Sequence, residues 1–198
     1  LEQDPLAGGI QLIDENPDRG IGMAHVDGGL FFERELNWFG QSLIQTLEPR
    51  VYFLWQDFED QSRLPRFDSS RLTFGYGQLF RDNRFSGIDR IGDARQVSAG
   101  VTSKFLSATN GREYFRFSLG EIFYFLDRRV TLNDRTTPDE RHGTSAMVAE
   151  VSAALAGSWQ VYGNMVWDSH DNQIEEGGAG IRFRRDNRHN FKVGFKKN

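Results

Sequence analysis

Residues 113–132, EYFRFSLGEIFYFLDRRVTL, constrain the fold more than any other stretch of the chain. At every second position Phe115, Phe117, Leu119, Phe123 and Phe125 fall on one side, interrupted only by Glu121. Tyr114, Arg116, Ser118, Gly120, Ile122 and Tyr124 fall on the other. A period of two is that of a β-strand, because successive side chains leave opposite faces of the pleat. In a soluble sandwich the apolar face turns inward, and the outer face carries Lys, Glu and Thr rather than glycine. Large apolar residues opposed to Arg, Ser and Gly are instead the pattern of a strand in the wall of a transmembrane β-barrel.

The neighbouring stretches repeat this polarity. A strand is expected near Met23–Leu36, with a turn over residues 37–40. Residues 41–57 place Leu43, Leu47, Val51, Phe53 and Trp55 opposite Thr46, Glu48, Arg50, Tyr52 and Gln56. Pro49 has no N–H to give to a ladder, so an irregular or unpaired position is expected there. Residues 71–80 read as a further strand, with Leu72, Phe74, Tyr76 and Phe80 opposite Thr73, Gly75 and Gly77. Residues 96–106 alternate Val97, Ala99, Val101 and Phe105 with Ser98, Gly100, Thr102 and Lys104, and Asn110-Gly111 is a hairpin turn signal. Strands are also expected over residues 145–155, from Trp159 to Trp167, near Gly178–Phe183, and from Asn190 to Lys196, with a turn at Asp186–Arg188. The expected fold is all-β: an antiparallel up-and-down meander of about nine strands, part of a large transmembrane β-barrel. Trp55, Trp159 and Trp167 sit near strand ends, as an interfacial aromatic girdle requires. Turns near Asn110, Gly157 and Asn187 are short and most others long, which would set residues 81–95 and 133–143 on the outer side.

Composition narrows the function. A formal charge of −4 over 198 residues gives no basic surface of the kind nucleic-acid binders carry, so no nucleic-acid partner is expected. No run of about 18 apolar residues is present, which excludes a transmembrane helix but not a barrel. Cysteine is absent, so no disulfide staples this stretch. Residues 1–20 read as a loop or the tail of a preceding strand, and both ends read as internal to a longer protein.

Particular strings then point to a family. Gln45-Thr-Leu-Glu-Pro-Arg-Val-Tyr-Phe-Leu, followed by Asp60-Gln-Ser, Leu64-Pro and Phe67-Asp68, resembles the LPS-assembly protein LptD family. So do Gln78-Leu-Phe-Arg-Asp-Asn-Arg-Phe-Ser-Gly with Asp89-Arg-Ile-Gly-Asp, and Leu119-Gly-Glu-Ile-Phe-Tyr-Phe with Asp127-Arg-Arg-Val. The resemblance runs from about Asp27 to the end and is densest over 78–93. It implies a barrel that receives lipopolysaccharide from a periplasmic bridge and inserts it into the outer leaflet of the bacterial outer membrane. It also implies a plug lipoprotein, LptE, in the lumen, contact with the bridge protein LptA through an N-terminal jelly-roll domain absent here, and outer-membrane lipids around the wall. Residues 1–198 are then a segment of the barrel domain, with the remaining strands absent. The alternative is a passive porin-like or ligand-binding outer-membrane barrel.

A conduit for such a lipid needs a polar inner face beside an apolar outer one. Glu48, Arg50, Lys104, Arg116, Arg182 and Lys192 fall on the polar face and are candidates for contact with lipopolysaccharide or the plug protein; the cations suit phosphate through charge-assisted hydrogen bonds. The other reading is that these charges pair among themselves. Arg81, Asp82, Arg84, Asp89, Arg90 and Asp93 form a charged loop, read as structural, held by internal ion pairs around Phe85 and Ile91, rather than as a lipid or divalent-cation site. No catalytic residue, metal ligand or cofactor is expected. His25, His142, His170 and His189 are scattered, and Ser145 and Ser169 beside two of them lie in no hydrolase motif. Gly177, Gly178 and Gly180 relieve crowding inside a strand rather than cradle phosphate.

Overall fold

The computed structural model describes residues 19–38, 40–65, 67–132, 138–184 and 190–197. The expected tail at the N-terminus, the Asp186–Arg188 turn and His189 lie outside these. Nine strands make a single sheet: β1 Met23–Gly29, β2 Phe32–Trp38, β3 Gln41–Gln56, β4 Ala94–Ser107, β5 Glu113–Tyr124, β6 Met147–Ala154, β7 Trp159–Asp168, β8 Gln173–Arg184 and β9 Asn190–Lys197. All pairs are antiparallel, in the order β1-β3-β4-β5-β6-β7-β8-β9, with β2 also on β3. β3, β4, β5, β7 and β8 reach the roughly 9–11 residues that a tilted strand needs to cross a bilayer.

About nine strands are expected and the described residues form nine, but two of the expected ones differ. The single strand expected near Met23–Leu36 is broken in two. Both pieces pair with β3 in one register, Gly29 opposite Arg50 and Phe32 opposite Leu47. The break lies opposite Pro49: Leu30 N–H donates to the Pro49 carbonyl at 3.0 Å, and proline has no N–H to return. The strand expected over 71–80 does not form. Its place is taken by an isolated bridge, Arg71 to Phe85, and a 3-10 turn at Tyr76–Gln78. The reason is topological. β3 and β4 pair with each other without a gap from Leu43–Ser107 to Gln56–Ala94, leaving no edge between them for an intervening strand.

Register keeps one parity across the sheet. One row on the polar face reads Arg50, Gly100, Gly120, Val148, Val166. Another reads Thr46, Lys104, Arg116, Ser152, Tyr162, Gly180, Gly194. The opposite face carries Leu47, Val51, Phe53, Phe117, Phe123, Val151, Met165, Phe191, Val193 and Phe195, all exposed. Bulges at Phe105/Leu106 and Val166/Trp167 leave this parity intact in the strand bodies. At the Asn110-Gly111 turn only Gly111 takes a positive φ, +69°, closing a loop whose Ser107 N–H donates to the Arg112 carbonyl.

The connections at one end of the sheet are short. At the other end, residues 57–93 and 125–146 are long. The described residues of 57–93 do not project from the sheet but fold back across its polar face. Leu79, fully buried, packs with Ile122, Val148 and Val166, and Phe74, Tyr76 and Phe80 surround them. A second cluster joins Phe80 to Tyr52, Leu54 and Ala94. The buried core therefore lies between the polar face and this cover, not on the phenylalanine face.

Candidate functional site

The polar face can be covered because it is flat where the cover lands. A Cβ at Gly100 would stand 2.8 Å from Phe80 Cζ and 2.9 Å from the Tyr76 hydroxyl; one at Gly120 would stand 2.5 Å from a Leu79 methyl. Polar contacts fix the cover in register. Glu150 on β6 accepts from the Tyr76 backbone N–H at 3.1 Å, and the Thr102 hydroxyl donates to the Tyr76 oxygen at 3.1 Å. The Tyr52 hydroxyl donates to the Asp82 carboxylate, which also lies 3.0 Å from the His25 ring nitrogen.

The charged loop is bound to its surroundings residue by residue. Asp93 accepts from Arg129 N–H at 2.8 Å, Val130 N–H at 2.9 Å and the Arg84 guanidinium at 3.0 Å. Arg84 also donates to the Asp93 carbonyl at 2.7 Å and the Val130 carbonyl at 2.5 Å. Burial pushes the Asp93 carboxyl up. The two backbone donors and Arg84 together outweigh that and hold it below its ordinary value of 3.8. Asp89 accepts from the N–H groups of Phe67 and Asp68, and these donors hold its carboxyl low as well. Arg90 is buried and donates to the Leu64 and Asp89 carbonyls. Arg81 is exposed, and among the described residues no carboxylate pairs with it. Among the described residues Arg84 with Asp93 is the ion pair that the loop makes between its own charges, and Asp82 faces His25 of β1 instead.

The six polar-face candidates do not form one cluster. Glu48 pairs with Lys104 at 2.8 Å, Arg50 with Asp27 at 2.5 Å, and Arg116 with Glu113 at 2.7 Å. Arg50 also lies 4.2 Å over the Phe80 ring, at the margin of the cover. Arg182 and Lys192 are cross-strand neighbours near the β9 edge. Both sit over the Tyr162 ring, at 5.6 and 5.0 Å, and no carboxylate among the described residues pairs with either. Gly178 and Gly180 would place a Cβ against Asn164 and Tyr162, whereas Gly177 is not crowded.

Several contributors carry no motif. Gln61, buried, copies a strand pair: its amide donates to the Ile91 carbonyl at 2.8 Å and accepts from Ile91 N–H at 3.0 Å. Arg128 is buried with its guanidinium 3.6 Å over Tyr124. Burial pulls its proton affinity down, the Tyr124 phenol opposing this and Arg84 adding to it. His142 and His170 were expected to be scattered; their rings instead stack at 4.1 Å. Ser145 is engaged structurally, accepting from Ile122 N–H and donating to the Ala146 carbonyl. Pairs that meet only through tertiary folding leave no local spacing to read.

A meander with one lipid-compatible face and one polar face defines a wall section of an outer-membrane-type β-barrel. The model of the family LPS transport system D matches residues 3–198, and the chain belongs to that family. It is 41% identical over 182 residues to the LPS-assembly protein LptD of Alcanivorax borkumensis, covering 92% of this chain and 22% of that protein. It is 42% identical to the protein of the same name from Nitrosococcus oceani, covering 87% of this chain and 23% of the relative. For Pseudomonas fluorescens the figures are 41%, 83% and 18%. The chain thus spans about a fifth of the length of the curated relatives it matches. Family membership places it in the bacterial outer membrane.

Proposed function

We propose that this chain is part of the wall of a barrel that moves lipopolysaccharide to the cell surface and inserts it into the outer leaflet. The observation that carries this is the two-sidedness of the sheet. The phenylalanine face suits acyl chains, and the opposite face offers paired and unpaired charges to a glycan and its phosphates. A passive pore fits less well, because residues 57–93 bury much of the polar face that a solute path would keep wet. Glu48, Arg50, Lys104, Arg116, Arg182 and Lys192 are offered either to the lipid or to a plug lipoprotein of the LptE kind. A bridge protein such as LptA would act on parts of the parent outside this segment.

The test is photo-crosslinking in cells, in the full-length parent. A reactive probe replaces Arg50, Lys104, Arg116, Arg182 or Lys192 in turn, with Phe117 and Val161 as controls on the opposite face. Lipopolysaccharide adducts from the polar face alone are expected. Adducts with the plug protein alone would make these residues a partner interface. Lipid adducts from Phe117 and Val161 alone would be ordinary membrane contact and would remove the conduit role.

A further inference from the structure

A cavity of about 420 Å³ lies between the cover, the polar face and the connection after β5. That size falls within the roughly 300–1,000 Å³ of small-molecule sites. Four guanidinium groups line it, Arg71, Arg81 and Arg84 from the cover and Arg128 from the connection, with the carboxylates of Asp82 and Glu140 on the same side. The guanidinium groups differ in commitment. Arg84 is held by Asp93 and Val130, and Arg128 lies flat on Tyr124 and donates to the His142 carbonyl at 3.3 Å. Arg71 reaches Glu140 only at 3.9 Å with 60% of its side chain exposed, and Arg81 has no carboxylate partner among the described residues. Two planar forks are therefore available, and such forks match phosphate oxygens two at a time.

Among the described residues, the β7–β8 side of the same cavity contributes carboxylates and His170 but no guanidinium. Asp168 and Glu176 line it, the first accepting from the His170 backbone N–H at 2.7 Å and the second paired with Lys196 at 3.2 Å. A carboxylate has about four acceptor sites, so each keeps room for a hydroxyl donor. Carboxylates near a bare anion would repel it. They suit a ligand whose anionic group is attached to a body rich in hydroxyls, and the Phe74 ring in the lining offers that body an apolar surface. We infer that the cavity binds a phosphorylated saccharide, with Arg71 and Arg81 on the phosphate and Asp168 and Glu176 on the hydroxyls. Taking that saccharide to be the head of a passing lipopolysaccharide rests on the transport reading above; a free sugar phosphate has the same chemistry.

Calorimetric titration of the purified full-length parent with its plug partner tests this. The probes are a fully deacylated, phosphorylated lipopolysaccharide saccharide, its dephosphorylated counterpart, glucose 6-phosphate and inorganic phosphate. Arg71→Gln combined with Arg81→Gln alters exposed side chains and is expected to weaken the phosphorylated probe at least tenfold. Arg112→Gln, at the β4–β5 turn and outside the cavity, should leave it unchanged. Tighter binding of the lipopolysaccharide saccharide than of glucose 6-phosphate would support the lipid as source, and the reverse would support a free sugar phosphate. Equal affinity in the double variant, equal affinity for the dephosphorylated probe, or inorganic phosphate binding as tightly as either saccharide would each overturn the assignment. Unchanged binding in the double variant alongside intact polar-face crosslinks would remove the cavity inference alone. Lost crosslinks with intact, Arg81-dependent binding would remove the transport reading alone.

Discussion

Asp93→Ala is expected to loosen the cover without unfolding the sheet. The wild-type carboxylate takes two backbone N–H bonds, from Arg129 and Val130, and one from Arg84. Alanine leaves the buried Val130 N–H without its acceptor and Arg84, 23% exposed, without its counter-charge. Removing one partner of a buried ion pair costs about 3–5 kcal/mol, and partial exposure of Arg84 argues for the lower end. At about 1.4 kcal/mol per tenfold, 3 kcal/mol raises the population of the locally open state roughly 150-fold. Amide hydrogen exchange at Arg129 and Val130 in the full-length protein reads this directly. Asp93→Asn keeps a carbonyl acceptor and should fall between the two. The carboxyl sits below its ordinary 3.8 when folded, so its stabilisation is complete above that value and is lost as pH falls through the lower folded value. Protection corrected for intrinsic rate should therefore be flat from pH 7 to about 4 and drop below it, and Asp93→Ala should lack that acid limb. Exchange in Asp93→Ala within threefold of wild type would refute the reasoning.

Other outcomes follow from the two faces. Phe117→Arg, on the face opposite the cover, should cost about 2–4 kcal/mol if it lies near the bilayer midplane, read as a shifted denaturant midpoint for the full-length barrel in lipid vesicles. An unchanged midpoint would mean that Phe117 does not face lipid. Gly120→Ala should harm the packing more than Gly100→Ala. At Gly120 the new methyl meets the Ala99 backbone carbonyl at 2.7 Å, whereas at Gly100 the nearest atoms are tips of Phe80 and Tyr76 that can swing away. Overpacking of this kind costs about 1–3 kcal/mol, and faster tryptic cleavage after Arg81 in folded protein, ranked Gly120→Ala above Gly100→Ala, is the expected result. The reverse ranking would mean that the side-chain tips, not the carbonyl, set the cost.

What was legible in the sequence is what period two can encode. The parity of β3, β4, β5 and β7, the placement of Trp55, Trp159 and Trp167 near strand ends, and the disturbance at Pro49 were all readable from side-chain alternation and one missing N–H. Residues 71–80 show the limit of that signal. Alternation of Phe74 and Tyr76 with Gly75 and Gly77 has the period of a strand, yet strand formation needs a free partner edge, and the β3–β4 ladder leaves none. The same aromatic residues lie down on Gly100 and on the row around Val148. Asp93 with Arg129, Gln61 with Ile91, and His142 with His170 were illegible for a different reason. Each joins residues about thirty or more positions apart, except the histidines at 28, and no local pattern records such a meeting.

The glycines of the polar face join these two levels. Opposite lipid, a strand gains by filling its surface with phenylalanine; on the other side, Gly100 and Gly120 leave space that Phe80, Tyr76 and Leu79 occupy. That cover ends near the row of Thr102 and Ser118, both buried, whereas Arg116, one row on, is exposed. The charges nearest the cover are neutralised within the chain: Glu48 by Lys104, Arg50 by Asp27, Arg116 by Glu113. At the β8–β9 edge a second glycine pair, Gly180 and Gly194, carries the flat Tyr162 ring in place of a cover, and Arg182 and Lys192 stand over it side by side. Like charges directly opposite on a ladder repel, and the ring's negative face offsets only part of that cost. The polar face is thus divided by register into a covered, neutral part and an open, cationic one. Among the described residues, an anionic ligand arriving along it would meet cations without a carboxylate partner at the Tyr162 shelf and at Arg81, where the cover lines the cavity.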